Sequence, residues 1–116
     1  MKRVLCVVIC CAALWGQEKR ERPPDRVIAI VAERFTFNPS TIKLKHGELV
    51  EFVLSSEDTD HGFHIPGTSI HVAIPPQGKG EARVRFIVNR RGRFVFECTR
   101  PCGAGHNLMR GMIVVK

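Results

Sequence analysis

From Val27 to Lys116 no apolar run is longer than a β-strand, and no segment sustains a 3.6-residue period. That excludes a helical bundle and an α/β fold more firmly than any other feature of the chain. Val27 to Glu33 is rich in β-branched and apolar residues, and Thr41-Ile-Lys-Leu-Lys45 alternates strictly. His46-Gly47 marks a turn ahead of the apolar run Leu49 to Leu54. Ile70 to Ile74 alternates weakly and stops at Pro75-Pro76. Arg83 to Val88 follows, and Asn89-Arg-Arg-Gly92 turns the chain back into Phe94-Val-Phe96. Gly111-Met-Ile-Val-Val115 closes it. Several short strands punctuated by Gly and Pro predict an all-β sandwich. Its expected core is Phe35, Phe37, Ile42, Leu44, Val50, Phe52, Val84, Phe86, Phe94 and Phe96.

A length of 116 residues allows one domain with one core. The formal net charge is +7, which favours acidic partners or an anionic membrane surface. Nucleic acid is set aside as a partner: the basic residues are scattered, Tyr is absent and no recognition motif occurs. Residues 1–16 read as an export signal. Lys2 and Arg3 form a positive start, Val4 to Leu14 is apolar, and Ala12, Ala13 and Gly16 lie near a cleavage point. Retention as a short membrane anchor is the rival reading, although the apolar stretch falls short of the roughly 20 residues that span a bilayer. Residues 17–26, with Pro23-Pro24, read as a stiff linker, and 27–116 as the domain. An exported chain is extracytoplasmic, in a bacterium periplasmic. Cys6, Cys10 and Cys11 fall within the signal, where the preceding residues fit a lipoprotein signal poorly. The domain keeps Cys98 and Cys102.

Those two thiols stand in Cys98-Thr-Arg-Pro-Cys102-Gly-Ala-Gly-His106-Asn-Leu-Met109, which packs two thiols, an imidazole and a thioether into one loop. Soft and borderline donors of this kind suit copper better than magnesium or calcium. Upstream, Asp58-Thr-Asp-His61-Gly-Phe-His64-Ile-Pro66 follows a predicted strand and is rich in turn residues, which places it at one end of the sandwich; if the Cys98–Met109 loop sits at that end, His61 or His64 completes the shell. His61 is preferred over His64 because Gly62 lets the backbone approach closely. His46 and His71 are weaker candidates, in a loop and a strand respectively. A disulfide between Cys98 and Cys102 is an alternative, but it leaves His106 and Met109 without a role. Zinc has no use for Met109. A thioredoxin-like dithiol expects two residues between its cysteines. A single blue copper needs one thiolate, so the second argues for two metals sharing two sulfurs.

Cys98-x-x-x-Cys102-Gly-x-Gly-His106-x-x-Met109, joined to the upstream Asp60-His61-Gly-Phe-His64, resembles the binuclear copper A (CuA) domain of heme–copper oxidase subunit II and nitrous-oxide reductase. The stretch from Asp60 to Lys116 is most similar to the short subunit II of B-type oxidases. The resemblance implies a cupredoxin Greek-key sandwich holding two copper ions bridged by Cys98 and Cys102. His61 and His106 would each cap one ion, Met109 would be a weak axial ligand, and the backbone carbonyl of Arg100 the other. Many relatives carry Glu or Gln at that position; Arg would place a cation beside the metals and tend to raise the reduction potential. The function implied is electron relay from a cytochrome c-like donor to a heme–copper subunit I, with no catalytic site of the domain's own. The rival is a periplasmic copper chaperone or store. Two features depart from the family: Trp15 is the only Trp and lies in the predicted signal, and the net charge is basic rather than acidic.

Overall fold

The computed structural model describes residues 22–116, so the predicted signal or anchor and residues 17–21 of the predicted linker lie outside the described residues. Among the described residues nine strands form two sheets. The first sheet has the order β2 (Thr36–Asn38), β1 (Arg26–Glu33), β4 (Leu49–Ser56) and β7 (Ala82–Ile87). The second has the order β3 (Thr41–Leu44), β9 (Arg110–Val115), β8 (Gly92–Glu97), β5 (His61–His64) and β6 (His71–Ile74). β1 pairs β4 in parallel and β3 pairs β9 in parallel; the other pairs are antiparallel. Neighbours in sequence therefore cross repeatedly between sheets: the sandwich the strand pattern predicted, with the Greek-key connections that the family resemblance implied.

Period-2 alternation turns one side chain in two toward the other sheet. Phe52, Phe63 and Phe96 are fully buried and Phe37 nearly so. Their rings meet edge-on or tilted, with centroids 5.1 to 6.0 Å apart, the favoured range for aromatic pairs. Of the expected core, Phe37, Ile42, Leu44, Val50, Phe52 and Phe96 are buried, while Phe35, Val84, Phe86 and Phe94 are partly buried against that core. Phe63, Ile30, Leu54 and Ile74 join them.

Two strands differ from the expected pattern. β2 is three residues long and pairs only with β1. β5 lies in the turn-rich segment after β4, where no strand was singled out. His61 and Phe63 on it are buried while His64 is half-buried, so the alternation was present but hidden by the polarity of histidine. At the domain start β1 takes in Arg26, and Asp25 just before it is tied to β4. Its carboxylate accepts from Leu49 N–H at 2.8 Å and its own N–H donates to the Leu49 carbonyl at 2.8 Å.

The strand directions place the site. β5 and β9 both run antiparallel to β8. The start of β5 (His61), the residue after β8 (Cys98) and the residue before β9 (Met109) therefore meet at one end of one sheet. Residues after the ends of β1 and β4, Arg34 and Asp58, arrive at the same end from the other sheet.

Candidate metal centre

Pro101 and the short 3-10 turn His106–Leu108 shape the loop between β8 and β9. The loop is closed by Cys98 N–H donating to the Met109 carbonyl at 3.2 Å. Phe35 packs under it. A Cβ on Gly103 would lie 2.9 Å from the Phe35 ring, and one on Gly105 2.6 Å from it, so the two glycines are there to admit the ring. On the other side, a Cβ on Gly62 would lie 2.1 Å from Thr99 Oγ1 and 2.9 Å from Thr99 N. The bare Gly62 also lets its N–H point at Cys98 Sγ, 3.4 Å away. This is the close approach expected of the residue after His61.

The donors then fall into a chain. His61 Nδ1 lies 3.8 Å from Cys98 Sγ, and Cys98 Sγ lies 4.0 Å from Cys102 Sγ. Cys102 Sγ is 3.7 Å from His106 Nδ1 and 3.8 Å from Met109 Sδ. The Arg100 carbonyl oxygen is 3.3 Å from Cys98 Sγ. His61, Cys98 and Cys102 each present a ligand atom within 4.8 Å of the others. Both thiols are buried and free, and their sulfurs stand about twice as far apart as the roughly 2.05 Å of a disulfide. His61 and Met109 are fully buried, while His106 is half-buried. Burial, with the neighbouring Cys98 second, pushes the Cys102 thiol up to about 11. Cations reverse that balance, since a coordinating thiol is held as thiolate.

Asp58 and Arg34, which sequence reasoning passed over, support the donors. Asp58 Oδ1 lies 2.7 Å from His61 Nε2, and Asp58 Oδ2 accepts from Arg34 N–H at 2.9 Å. An ionised Asp58 can only accept, so Nε2 donates and Nδ1 turns its lone pair toward the sulfurs. Burial works to raise the Asp58 carboxyl, but hydrogen bonds from Arg34 N–H, His61 and Thr59 N–H outweigh it and hold it below its ordinary value. Arg34 Nε donates to the Cys102 carbonyl at 2.7 Å. The only sequence signal for Asp58 was its place three residues before His61 in a turn-rich segment. Arg34 carried none, because it is 68 residues from Cys102.

Arg100 stands beside the donors as an ion-paired cation. Its guanidinium donates to Asp60 Oδ2 at 2.8 Å, and that pairing holds the Asp60 carboxyl below its ordinary value. The charge next to the site is therefore matched locally. His64 and His71 stand outside the donor chain and face each other, ring centroids 4.9 Å apart. His46 sits in the turn before β4, and its N–H donates to the Lys116 carbonyl at 3.0 Å.

Two thiols, two imidazole nitrogens, a thioether and a carbonyl oxygen, linked in one continuous chain of close contacts, are a soft and borderline donor set that fits copper. The cupredoxin-like domain family matches residues 6–115. This chain is a cupredoxin. It is 37% identical over 95 residues to cytochrome c oxidase subunit 2 of Thermus thermophilus, covering 81% of this chain and 68% of that one. A second Thermus thermophilus subunit 2 sequence is also 37% identical, and there the cupredoxin spans 55% of the relative's length. Nitrous-oxide reductase of Cupriavidus necator is 32% identical over 93 residues, which are 77% of this chain but 14% of that enzyme. The fold matches the periplasmic domain of subunit II of cytochrome oxidase (CoxB) of Bradyrhizobium japonicum with a TM-score of 0.73 at 14% identity, covering 82% and 86% of the two chains. The cupredoxin is thus of the CuA type, as its loop motif implied.

Proposed function

We propose that this cupredoxin is an exported electron-transfer domain with a binuclear CuA centre, relaying electrons to a heme–copper oxidase as its subunit II or as a free-standing homologue. The pairing of donors carries the reading. Each sulfur has its own imidazole, at 3.8 Å for Cys98 and 3.7 Å for Cys102, and its own weak donor, the Arg100 carbonyl or the Met109 thioether. One copper would leave half of that set idle. Cys98 and Cys102 would bridge two ions, His61 and His106 would cap them, and Arg100 O and Met109 would stand as axial donors.

Copper, when bound, supplies a one-electron couple between Cu(II) and Cu(I). The residues of the chain hold the donors still. Asp58 fixes the His61 ring, Arg34 fixes the Cys102 carbonyl, and Phe35 fills the space beneath the loop. Donors held by a rigid sandwich move little when the charge changes, so little reorganisation opposes transfer. The half-buried His106 gives the centre an edge toward solvent, where a donor delivers one electron and an acceptor removes it. Among the described residues no helix is long and apolar enough to cross a membrane. Export and extracytoplasmic placement rest on the leader-like residues 1–16 and on the periplasmic domain whose fold this one shares.

The test is spectroscopic. Copper-loaded protein is expected to bind two ions, to be purple with a mixed-valence signature, and to cycle reversibly by one electron. Cys98→Ser, Cys102→Ser and His106→Ala should each abolish that spectrum, and retention of it in any of them overturns the ligand set. Labile Cu(I) at one equivalent without stable colour would instead mark a copper chaperone or store.

A further inference from the structure

On the outer face of the five-stranded sheet, one row of side chains crosses three strands. His71 on β6 is directly opposite His64 on β5, and His64 is directly opposite Glu97 on β8. Alternation places all three on the solvent side: Val72 and Ile74, Phe63, and Phe96 and Cys98 are the inward neighbours. The two imidazoles already touch, with centroids 4.9 Å apart and planes inclined by 44°. His71 Nε2 bonds to Thr99 Oγ1 at 3.1 Å, which leaves its Nδ1 available. Among the described residues neither the His64 ring nor the Glu97 carboxylate has a hydrogen bond or an ion pair. Beside the row lies a cleft of about 290 Å³ lined by His71, Val72, Ala73, Thr99 and Arg100.

The geometry points to a second metal site, separate from the thiol-lined centre, in which His64 and His71 with Glu97 as third ligand bind one divalent transition-metal ion such as zinc. Zinc holds imidazole nitrogens at about 2.0–2.1 Å, so rings this close need only side-chain rotation to share an ion. Glu97 is half-buried and lies across from His64 on the strand on its other side, so an ion held over the His64 ring would recruit its carboxylate by side-chain rotation. The donors are nitrogen and oxygen without sulfur, so the site differs in chemistry from the inner centre. Thr99, next to Cys98, connects the two: a metal that fixes His71 also fixes the Thr99 hydroxyl at the start of the ligand loop.

The experiment is a calorimetric titration of Zn²⁺ into the full chain with its copper already loaded. One saturable equivalent of Zn²⁺ is expected, with the copper spectrum unchanged. His71→Ala and His64→Ala should each weaken binding by at least about tenfold, since removing a ligand costs no less than removing a supporting group. Glu97→Gln should weaken it less. β6 is an edge strand and His71 is exposed, so the substitution leaves the core alone, and the copper spectrum reports that each variant is folded. Three results overturn the site: no saturable Zn²⁺ binding, binding indifferent to His71→Ala (which assigns the ion to Cys6, Cys10, Cys11 or His46), or Zn²⁺ uptake that bleaches the copper colour.

Discussion

Asp58 does more for the metal centre than its distance from the ligand motif suggests. One carboxylate sets the His61 ring through Nε2 and anchors the Arg34 backbone, and Arg34 in turn holds the Cys102 carbonyl. Asp58→Ala leaves the fully buried His61 with an unpaired nitrogen. The expected outcome is a loss of about 1–3 kcal/mol in the metal-free protein, read from urea unfolding. Copper affinity should fall about 10–100-fold by competition with a chelator. Asp58→Asn keeps an acceptor for Nε2 and should recover most of the copper affinity. If Asn and Ala behave alike, the carboxylate acts through charge and not through the ring it orients. Both cysteines, His61, His106 and Met109 were legible as candidates in the sequence because ligand chemistry is carried by residue type. Asp58 and Arg34 were not, because an aspartate in a turn and an arginine between strands have the same appearance whether or not they support a metal.

At the scale of elements, the first sheet carries its own charge cluster away from the metal. Glu51 on β4 is buried and accepts from Arg85 Nε at 2.6 Å and from Arg83 at 2.9 Å, both from β7. Those hydrogen bonds, Arg85 first and Arg83 second, hold the Glu51 carboxyl below its ordinary 4.5. A carboxyl lower in the folded than in the unfolded chain binds its proton more readily when unfolded. Its stabilisation is therefore complete above the ordinary value and is lost as pH falls through the folded one. Asp58, lowered from 3.8, adds in the same direction. Urea midpoints should be flat near neutral pH and fall steadily below about pH 4.5. Glu51→Gln should flatten part of that fall, and an unchanged acid slope in Glu51→Gln would remove the β4–β7 pair from the account. The same scale explains the missed strand β5. His-Gly-Phe-His alternates inward and outward, but His is polar by composition and Gly suggests a turn, so the period was masked until pairing with β6 and β8 revealed it.

For the whole molecule, charge decides the choice of partner. The chain carries +7, and its basic residues are spread over both sheets, with Arg83 and Arg85 on one and Arg93 and Arg110 on the other. Opposite charge steers encounter and is screened by salt, while like charge suppresses it. Electron exchange with an acidic donor should be fast at low ionic strength and slow as salt is added, measured by stopped-flow reduction of the copper-loaded protein. A strongly basic cytochrome should react slowly, with little or opposite salt dependence. Fast exchange with the basic donor that weakens steeply with salt would overturn this.

The sequence by itself determined the class of fold, the donor loop and the family. Strand periodicity, short apolar runs and the Cys98-to-Met109 spacing are local properties that survive without a structure. It also singled out His61 over His64, because the need for a glycine beside a close backbone approach can be read from Gly62. What only the tertiary structure decided is everything that depends on residues distant in the chain arriving together: the Arg34–Asp58 and Arg34–Cys102 contacts, Phe35 beneath Gly103 and Gly105, the Arg100–Asp60 pair, and the His71–His64–Glu97 row. Each joins segments whose relative placement is set by strand order, and strand order is fixed by how two twisted sheets bury their apolar faces rather than by any one stretch of residues.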